Sequence, residues 1–133
     1  MSSTPAWSED LSVGNFLIDK QHQRLIALCN RAADCAASCA LESQSEFHEI
    51  LNELATQVAK HFDDEEALLK RNNSPSFDAH RAEHNTYREF VTNLLVEGAA
   101  GLLDRAKLHQ IANDYLIQHM LKMDTAEKAN LLA

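Results

Sequence analysis

Apolar residues along this chain recur at steps of three and four, in four separate runs. The first run is Leu25, Leu28, Cys29, Ala32 and Ala36, on a segment that opens at Asp19 and extends to about Ala40. Such spacing turns one face of a helix toward a core. His22 falls on the same stripe. The second run is Leu51, Leu54, Val58, His61, Glu65 and Leu68, after Ser43 or Ser45, either of which is a good helix N-cap. A solvated glutamate has no reason to continue an inward stripe, so Glu65 stands out. Arg71-Asn72-Asn73-Ser74-Pro75 is the clearest turn in the chain. The third run follows it to about Glu97, with His80, His84, Tyr87, Val91 and Leu94 or Leu95 on its stripe. After the break Glu97-Gly98-Ala99-Ala100-Gly101 comes the fourth, with Leu108, Ile111 or Ala112, Tyr115 or Leu116, and His119.

Four amphipathic helices of about twenty residues, joined by short connections and with no strand-like alternation, predict an all-α fold. The expected architecture is an up-down-up-down antiparallel four-helix bundle. Residues 1–18 form an N-terminal arm that turns at Gly14-Asn15 and carries Trp7, expected to pack over a bundle end. Residues 19–123 form the bundle, and residues 124–133 a short helical tail. The whole of 1–133 reads as one domain.

Composition narrows the function. Twenty acidic against twelve basic residues give a net charge of −8. That balance disfavours nucleic acid, which needs clustered positive charge, and an anionic membrane surface. No apolar stretch approaches the roughly 20 residues of a membrane span, and the N-terminus has neither a basic nor an apolar signal region. The expected location is the cytoplasm. Three cysteines, Cys29, Cys35 and Cys39, are an odd number and do not suggest a disulfide framework. Cys35 and Cys39 are four apart and could share a helix face, but the favoured reading is small buried or half-buried helix residues.

The chemistry resides in the histidines. His61 and Glu65 are one helical turn apart, as are His80 and His84, so each pair can point at one centre. In an antiparallel bundle, the start of the first helix (His22), the end of the second, the start of the third and the end of the fourth (His119) meet at one pole. His119 and Asp124 are five apart, about 140° on a regular α-helix, so both reach one site only if the helix ends or bulges between them. Asp124 is therefore expected just past the helix end. Taken singly, each of these residues has an ordinary explanation: His22 as a core histidine, His80 and His84 as a solvated pair, Glu65 as part of the acidic run 63–66. Their joint convergence does not. Five imidazoles and two carboxylates exceed the four ligands of an ordinary zinc site and suit two metal ions bridged by carboxylates. Iron fits this donor set, which also admits manganese, cobalt or zinc. If each carboxylate fills a position on both ions and a bridging oxide or hydroxide does the same, one of the twelve positions of two octahedral ions stays open for a small molecule.

The segments Gly14-Asn15-x-x-Ile18-Asp19-x-Gln21-His22, His61-Phe62-x-x-Glu65-Glu66, Pro75-x-x-x-x-His80-x-x-x-His84 and Tyr115-Leu116-x-x-His119-Met120-x-x-x-Asp124 resemble the hemerythrin family, in particular its single-domain bacterial members. The resemblance runs from about Trp7 to the end of the chain. It implies that His80, His84 and His119 ligate one iron and that His22 and His61 ligate a second, which keeps the open position. Glu65 and Asp124 bridge the two, together with an oxo or hydroxo group. It further implies reversible binding of dioxygen for carriage, storage or delivery, an oxygen pocket lined by Phe62, Leu116 and Met120, and possible binding of nitric oxide or azide. No protein partner is implied. Two positions depart from the pattern: Ser74 stands where an aromatic residue often precedes the proline, and Tyr115 where tryptophan is common. An oxygen or redox sensor is the alternative, although no signalling domain is fused to the sequence. A di-iron oxidase or peroxidase ranks lower, because such sites use Glu-x-x-His motifs and this sequence contains none. No catalytic residue is assigned, and the expectation is a binding protein, not an enzyme.

Overall fold

The structure, a computed structural model, describes residues 6–37 and 42–132. Helix α1 spans Phe16–Ala37, α2 spans Glu42–Arg71 and α3 spans Phe77–Ala99. The fourth helix, α4, is the run 105–124, built from an α-helical start (Arg105–His109), a π-helical stretch (Gln110–Leu116), one α turn (Ile117–His119) and a second π stretch (Met120–Asp124). Helix α1 packs against α2 and α4, and α3 packs against α2 and α4, which is the square of an antiparallel bundle. Short 3-10 turns, Glu9–Leu11 and Lys128–Asn130, flank it. No strand occurs among the described residues. None of their helices is long and apolar enough to cross a membrane.

The stripes named above face the core. Leu25, Leu28, Cys29 and Ala32 of α1, Leu51, Leu54 and Val58 of α2, Tyr87, Val91 and Leu94 of α3, and Leu108, Ile111, Ala112 and Leu116 of α4 are all buried in one cluster. Where the pattern left a choice, Leu94 and Leu116 point in; Leu95 is half-buried and Tyr115 exposed. Trp7 packs against this cluster, as expected of the arm. A smaller cluster of Val13, Ile18, Leu68, Leu69 and Leu131 closes the other end of the core, at the pole of the histidines.

Helix boundaries follow from capping more closely than from periodicity. Helix α1 starts one turn before Asp19, because the Asn15 side-chain oxygen accepts from the Ile18 backbone N–H, satisfying one of the free donors of the first turn. Asp19 instead accepts from the Ser12 hydroxyl and the Val13 N–H, folding the arm back onto the helix start. Helix α2 begins at Glu42, so Ser43 and Ser45 lie within it rather than capping it. The expected end of α1 at Ala40, together with Cys39 and residues 1–5 of the arm, lies outside the described residues.

The ends of α2 and α3 close in the same way. At the end of α2, Asn73 takes φ 55°, with Ser74 N–H donating to Leu69 C=O and Asn73 N–H to Lys70 C=O. At the end of α3, Gly101 takes φ 91°, with Leu102 N–H donating to Glu97 C=O and Gly101 N–H to Gly98 C=O. These are Schellman closures with a left-handed residue after the cap. Helix α3 therefore runs through Gly98, two residues beyond the Glu97 expectation. On the far side of the turn, Asp104 caps α4 by accepting from the Lys107 N–H.

The tail is tied to the histidine pole by polar contacts. Asn15 donates to Leu131 C=O, and Asn72 donates to Asn130 C=O. The buried Ser74 hydroxyl donates to Glu127 at 2.7 Å. Serine before Pro75 thus replaces an aromatic contact with a hydrogen bond to the tail.

Candidate metal centre

Helix α1 supplies His22, α2 supplies His61 and Glu65, α3 supplies His80 and His84, and α4 supplies His119 and Asp124. All seven side chains are buried at one pole of the bundle. They form two groups sharing Glu65: Glu65, His80, His84 and His119 in one, and His22, His61, Glu65 and Asp124 in the other.

The two oxygens of each carboxylate divide between these groups. Glu65 Oε1 lies 2.6 Å from His80 Nε2, 3.1 Å from His84 Nε2 and 3.6 Å from His119 Nε2. Its Oε2 lies 3.2 Å from His61 Nε2 and 3.6 Å from His22 Nε2. Asp124 repeats the division. Its Oδ1 is 2.9 Å from His80 Nε2 and 3.0 Å from His119 Nε2, whereas Oδ2 is 2.9 Å from His22 Nε2. One group thus has three imidazoles and the other two, with a carboxylate oxygen from each acid facing each group.

Asp124 reaches this position by a route different from the one expected. It does not lie past the helix end. The helix continues into 125–126, and the π stretch Met120–Asp124 widens the turn. Hydrogen bonding from i to i+5 brings a residue five positions on closer to the same face, which reduces the 140° offset of a regular helix. The spacing His119 to Asp124 required an end or a bulge, and the chain uses the bulge.

Outer contacts fix how the rings present their nitrogens. His119 Nδ1–H donates to Glu83 at 2.7 Å, and His84 Nδ1–H donates to Glu66 at 2.8 Å. His61 Nδ1–H donates to Gln21 Oε1 at 2.8 Å, while the Gln21 amide donates to Asp64. A neutral imidazole holding its proton on Nδ1 turns a lone pair inward from Nε2. Lone pairs of His84 and His119 therefore face one another, their Nε2 atoms 3.0 Å apart; His22, whose Nδ1 has no partner, sets its Nε2 3.1 Å from that of His61. Glu65 Oε2 and Asp124 Oδ2 are buried close to them without an aligned hydrogen bond. Nitrogens bound at right angles to one ion at roughly 2.1 Å would stand about 3.0 Å apart. The donor set therefore fits cations and is poorly satisfied without them.

In the metal-free chain, protons must fill that role. Burial alone lowers the pKa of His22 and His80, but Asp124 and Glu65 outweigh it and raise both to about 9. His119 shows the same opposition and reaches about 11. His61 is fully enclosed, and burial lowers its pKa. Burial pushes Glu65 up, yet the surrounding imidazoles hold it well below the usual carboxylate range. Burial and Glu65 both raise Asp124, and His119 and His22 bring it below its ordinary value. Carboxylates and imidazoles thus hold one another in their charged forms.

Phe62, Leu116 and Met120 are all buried in the main core cluster. Phe62 stacks on His84 with ring centroids 3.8 Å apart and meets His61 and His119 edge-on or tilted. Tyr115 is exposed and stacks on Phe90, so its hydroxyl needs no buried partner. Cys29 donates its thiol to Ala112 C=O, and burial raises its pKa; Cys35 is also buried. The motif reading gave Gln21, Glu66 and Glu83 no role. Gln21 and Glu66 stood in the matched segments, and Glu83 was marked only by its place beside His84.

A four-helix bundle that gathers five imidazoles around two shared carboxylates is a non-haem, dinuclear metal-binding fold. The comparisons with known proteins agree. The family model described as hemerythrin HHE cation binding domain matches residues 13–129. A bacteriohemerythrin of Stenotrophomonas maltophilia is 26% identical over 120 residues, covering 90% of this chain and 76% of that protein. A myohemerythrin of Sipunculus nudus is 28% identical over 125 residues, covering 94% and 92%. A solved wild-type hemerythrin superposes with a TM-score of 0.84 at 25% identity, over 98% of this chain and all of the other. The chain belongs to the hemerythrin family, whose domain holds a pair of iron ions and binds dioxygen.

Proposed function

We propose that this chain binds dioxygen reversibly, for carriage, storage or delivery, at two iron ions held by the seven residues above. His80, His84 and His119 hold one ion, His22 and His61 hold the other, and Glu65 and Asp124 bridge them. The observation that carries this reading is the division of each carboxylate between a three-histidine and a two-histidine group. The group with fewer protein ligands is the one with room for an exogenous molecule. When bound, the ferrous pair supplies two electrons and a vacant position for a diatomic ligand.

The residues of the chain have distinct tasks. Two buried carboxylates offset part of the charge of two dications, which would otherwise be costly to desolvate. Glu83, Glu66 and Gln21 hold three rings with Nε2 inward. Phe62, with Leu116 and Met120, walls the centre with apolar side chains and keeps water away from it. The ligand set has only two acids and lacks a Glu-x-x-His motif, which favours binding over oxidase chemistry, because fewer anionic ligands support high-valent iron less well. The small ligands nitric oxide and azide suit the same vacancy, and the cytoplasm is the expected compartment.

The test is direct. Purified protein is analysed for iron, reduced without air and then exposed to air while its visible spectrum is recorded. Two irons per chain, and a colour that develops with oxygen and fades on its removal, support the reading. Absence of iron sinks the metal assignment. Irreversible bleaching in a single exposure favours oxidase chemistry instead.

A further inference from the structure

The hydrogen bonds behind the imidazoles are not equivalent on the two sides of the centre. In the three-histidine group, His119 Nδ1–H donates to Glu83 and His84 Nδ1–H to Glu66, both carboxylates, while His80 Nδ1 has no partner. In the two-histidine group, His61 Nδ1–H donates to Gln21, a neutral amide, and His22 Nδ1 has no partner. A carboxylate behind an imidazole pulls on the Nδ1 proton and makes Nε2 a stronger donor to a metal, whereas an amide does so much less. The two acids also differ from each other. Glu66 is shared with Arg88, whose guanidinium donates to the same oxygen at 2.7 Å. Among the described residues, Glu83 has no cation within ion-pair distance except the His119 ring itself.

We propose that Glu83 is a positioning residue that, acting through His119, makes the three-histidine ion the tighter-held and more easily oxidised member of the pair. Glu66 contributes in the same direction, moderated by Arg88. The arrangement ranks the backed rings: His119 strongest, His84 next, His61 weakest. The two-histidine ion is then the more weakly held one and keeps its affinity for an added ligand. This inference rests on the reading that the seven residues bind metal.

The decisive comparison uses Glu83→Gln. Glutamine keeps an oxygen that accepts from the His119 ring, so the ring stays oriented and only the charge is lost. Glu83 is 41% exposed, so the substitution buries no new polar group. Glu89→Gln, on an exposed position of the same helix, removes the same charge without touching a ring. Gln21→Glu, combined with Asp64→Asn so that the new acid does not face the carboxylate that the Gln21 amide binds, gives the weaker side the acid it lacks. Metal-free forms are titrated with cobalt(II) alone, read by its visible absorption, and the midpoint potential of each iron-loaded form is measured.

Wild type is expected to take up two cobalt ions in distinguishable steps. Glu83→Gln should weaken the tighter step by about 10- to 100-fold and raise the midpoint potential, while Glu89→Gln changes neither. Gln21→Glu with Asp64→Asn should tighten the weaker step relative to Asp64→Asn alone. The inference is overturned if Glu83→Gln matches wild type in affinity and potential, or if Glu89→Gln changes both as much. If wild type binds no cobalt, the metal-site reading itself falls, and this inference with it.

Discussion

Replacing Glu65 by glutamine perturbs the centre at its most connected atom pair. The side chain is fully buried, and its two oxygens face all five imidazoles at 2.6 to 3.6 Å. Glutamine has nearly the same shape, so the bundle is not left with a cavity. Its amide offers one acceptor oxygen, which can serve one histidine group, but it turns an NH2 toward the other, where lone pairs and a metal await. Removing one partner from a buried ionic arrangement costs about 3–5 kcal/mol. At about 1.4 kcal/mol per tenfold, that is roughly two to four orders of magnitude in affinity for one of the two ions. The assay is anaerobic loading with ferrous iron, gel filtration and iron analysis, with circular dichroism to verify the bundle. One iron or fewer per folded chain is expected. Two irons retained, with the wild-type spectrum, would refute the bridging role.

Three further outcomes follow from the same geometry. Metal-stripped protein should lose thermal stability as pH rises from 6.5 through about 9. His22 and His80 have folded-state pKa values raised from 6.5 to about 9, so their stabilisation is fully present below 6.5 and is lost as they deprotonate. Iron-loaded protein, whose rings hold metal instead of protons, should be flat over that range, and a stripped form equally flat would contradict the electrostatic account. Phe62→Ala should lower unfolding stability by about 3–5 kcal/mol in denaturant titration and speed loss of the oxygen-bound colour by admitting water beside His84. Unchanged colour lifetime would remove Phe62 from the pocket. Asn73→Val, at φ 55°, should cost about 1–2 kcal/mol because a β-branched side chain is strained in the left-handed region. Asn73→Gly should be neutral or stabilising, and the reverse order in melting temperature would contradict the capping account.

What the sequence made legible was whatever obeys helical periodicity. The stripes of α1 to α4, and the pairs His61/Glu65 and His80/His84, follow from three- and four-residue steps, so fold and pole were readable together. Asp124 was readable only as a constraint. Five residues from His119, it needed a departure from α geometry, but i to i+5 hydrogen bonding is a backbone choice settled by tertiary packing and carries no side-chain signature. The start of α1 was misplaced because Asp19 and Asn15 are both good capping residues, and the one that caps is decided by the arm folding back through Ser12 and Val13. Glu66 belonged to the acidic run 63–66, which reads as a solvated face, and Glu83 drew no reading. Only the direction of each Nδ1, which depends on ring rotamers, reveals that they hold histidines. The fate of Tyr115 was equally hidden, since only about 100° of helix separates it from the inward Leu116.

The central claim is that seven residues fix two metals so that one position remains for dioxygen. Its most direct test is a dioxygen titration of the fully ferrous protein, with uptake counted against iron. Uptake of one dioxygen per two irons, released quantitatively on degassing and regained on re-exposure over several cycles, is the predicted result. Uptake that is absent, or consumed without release, would contradict it.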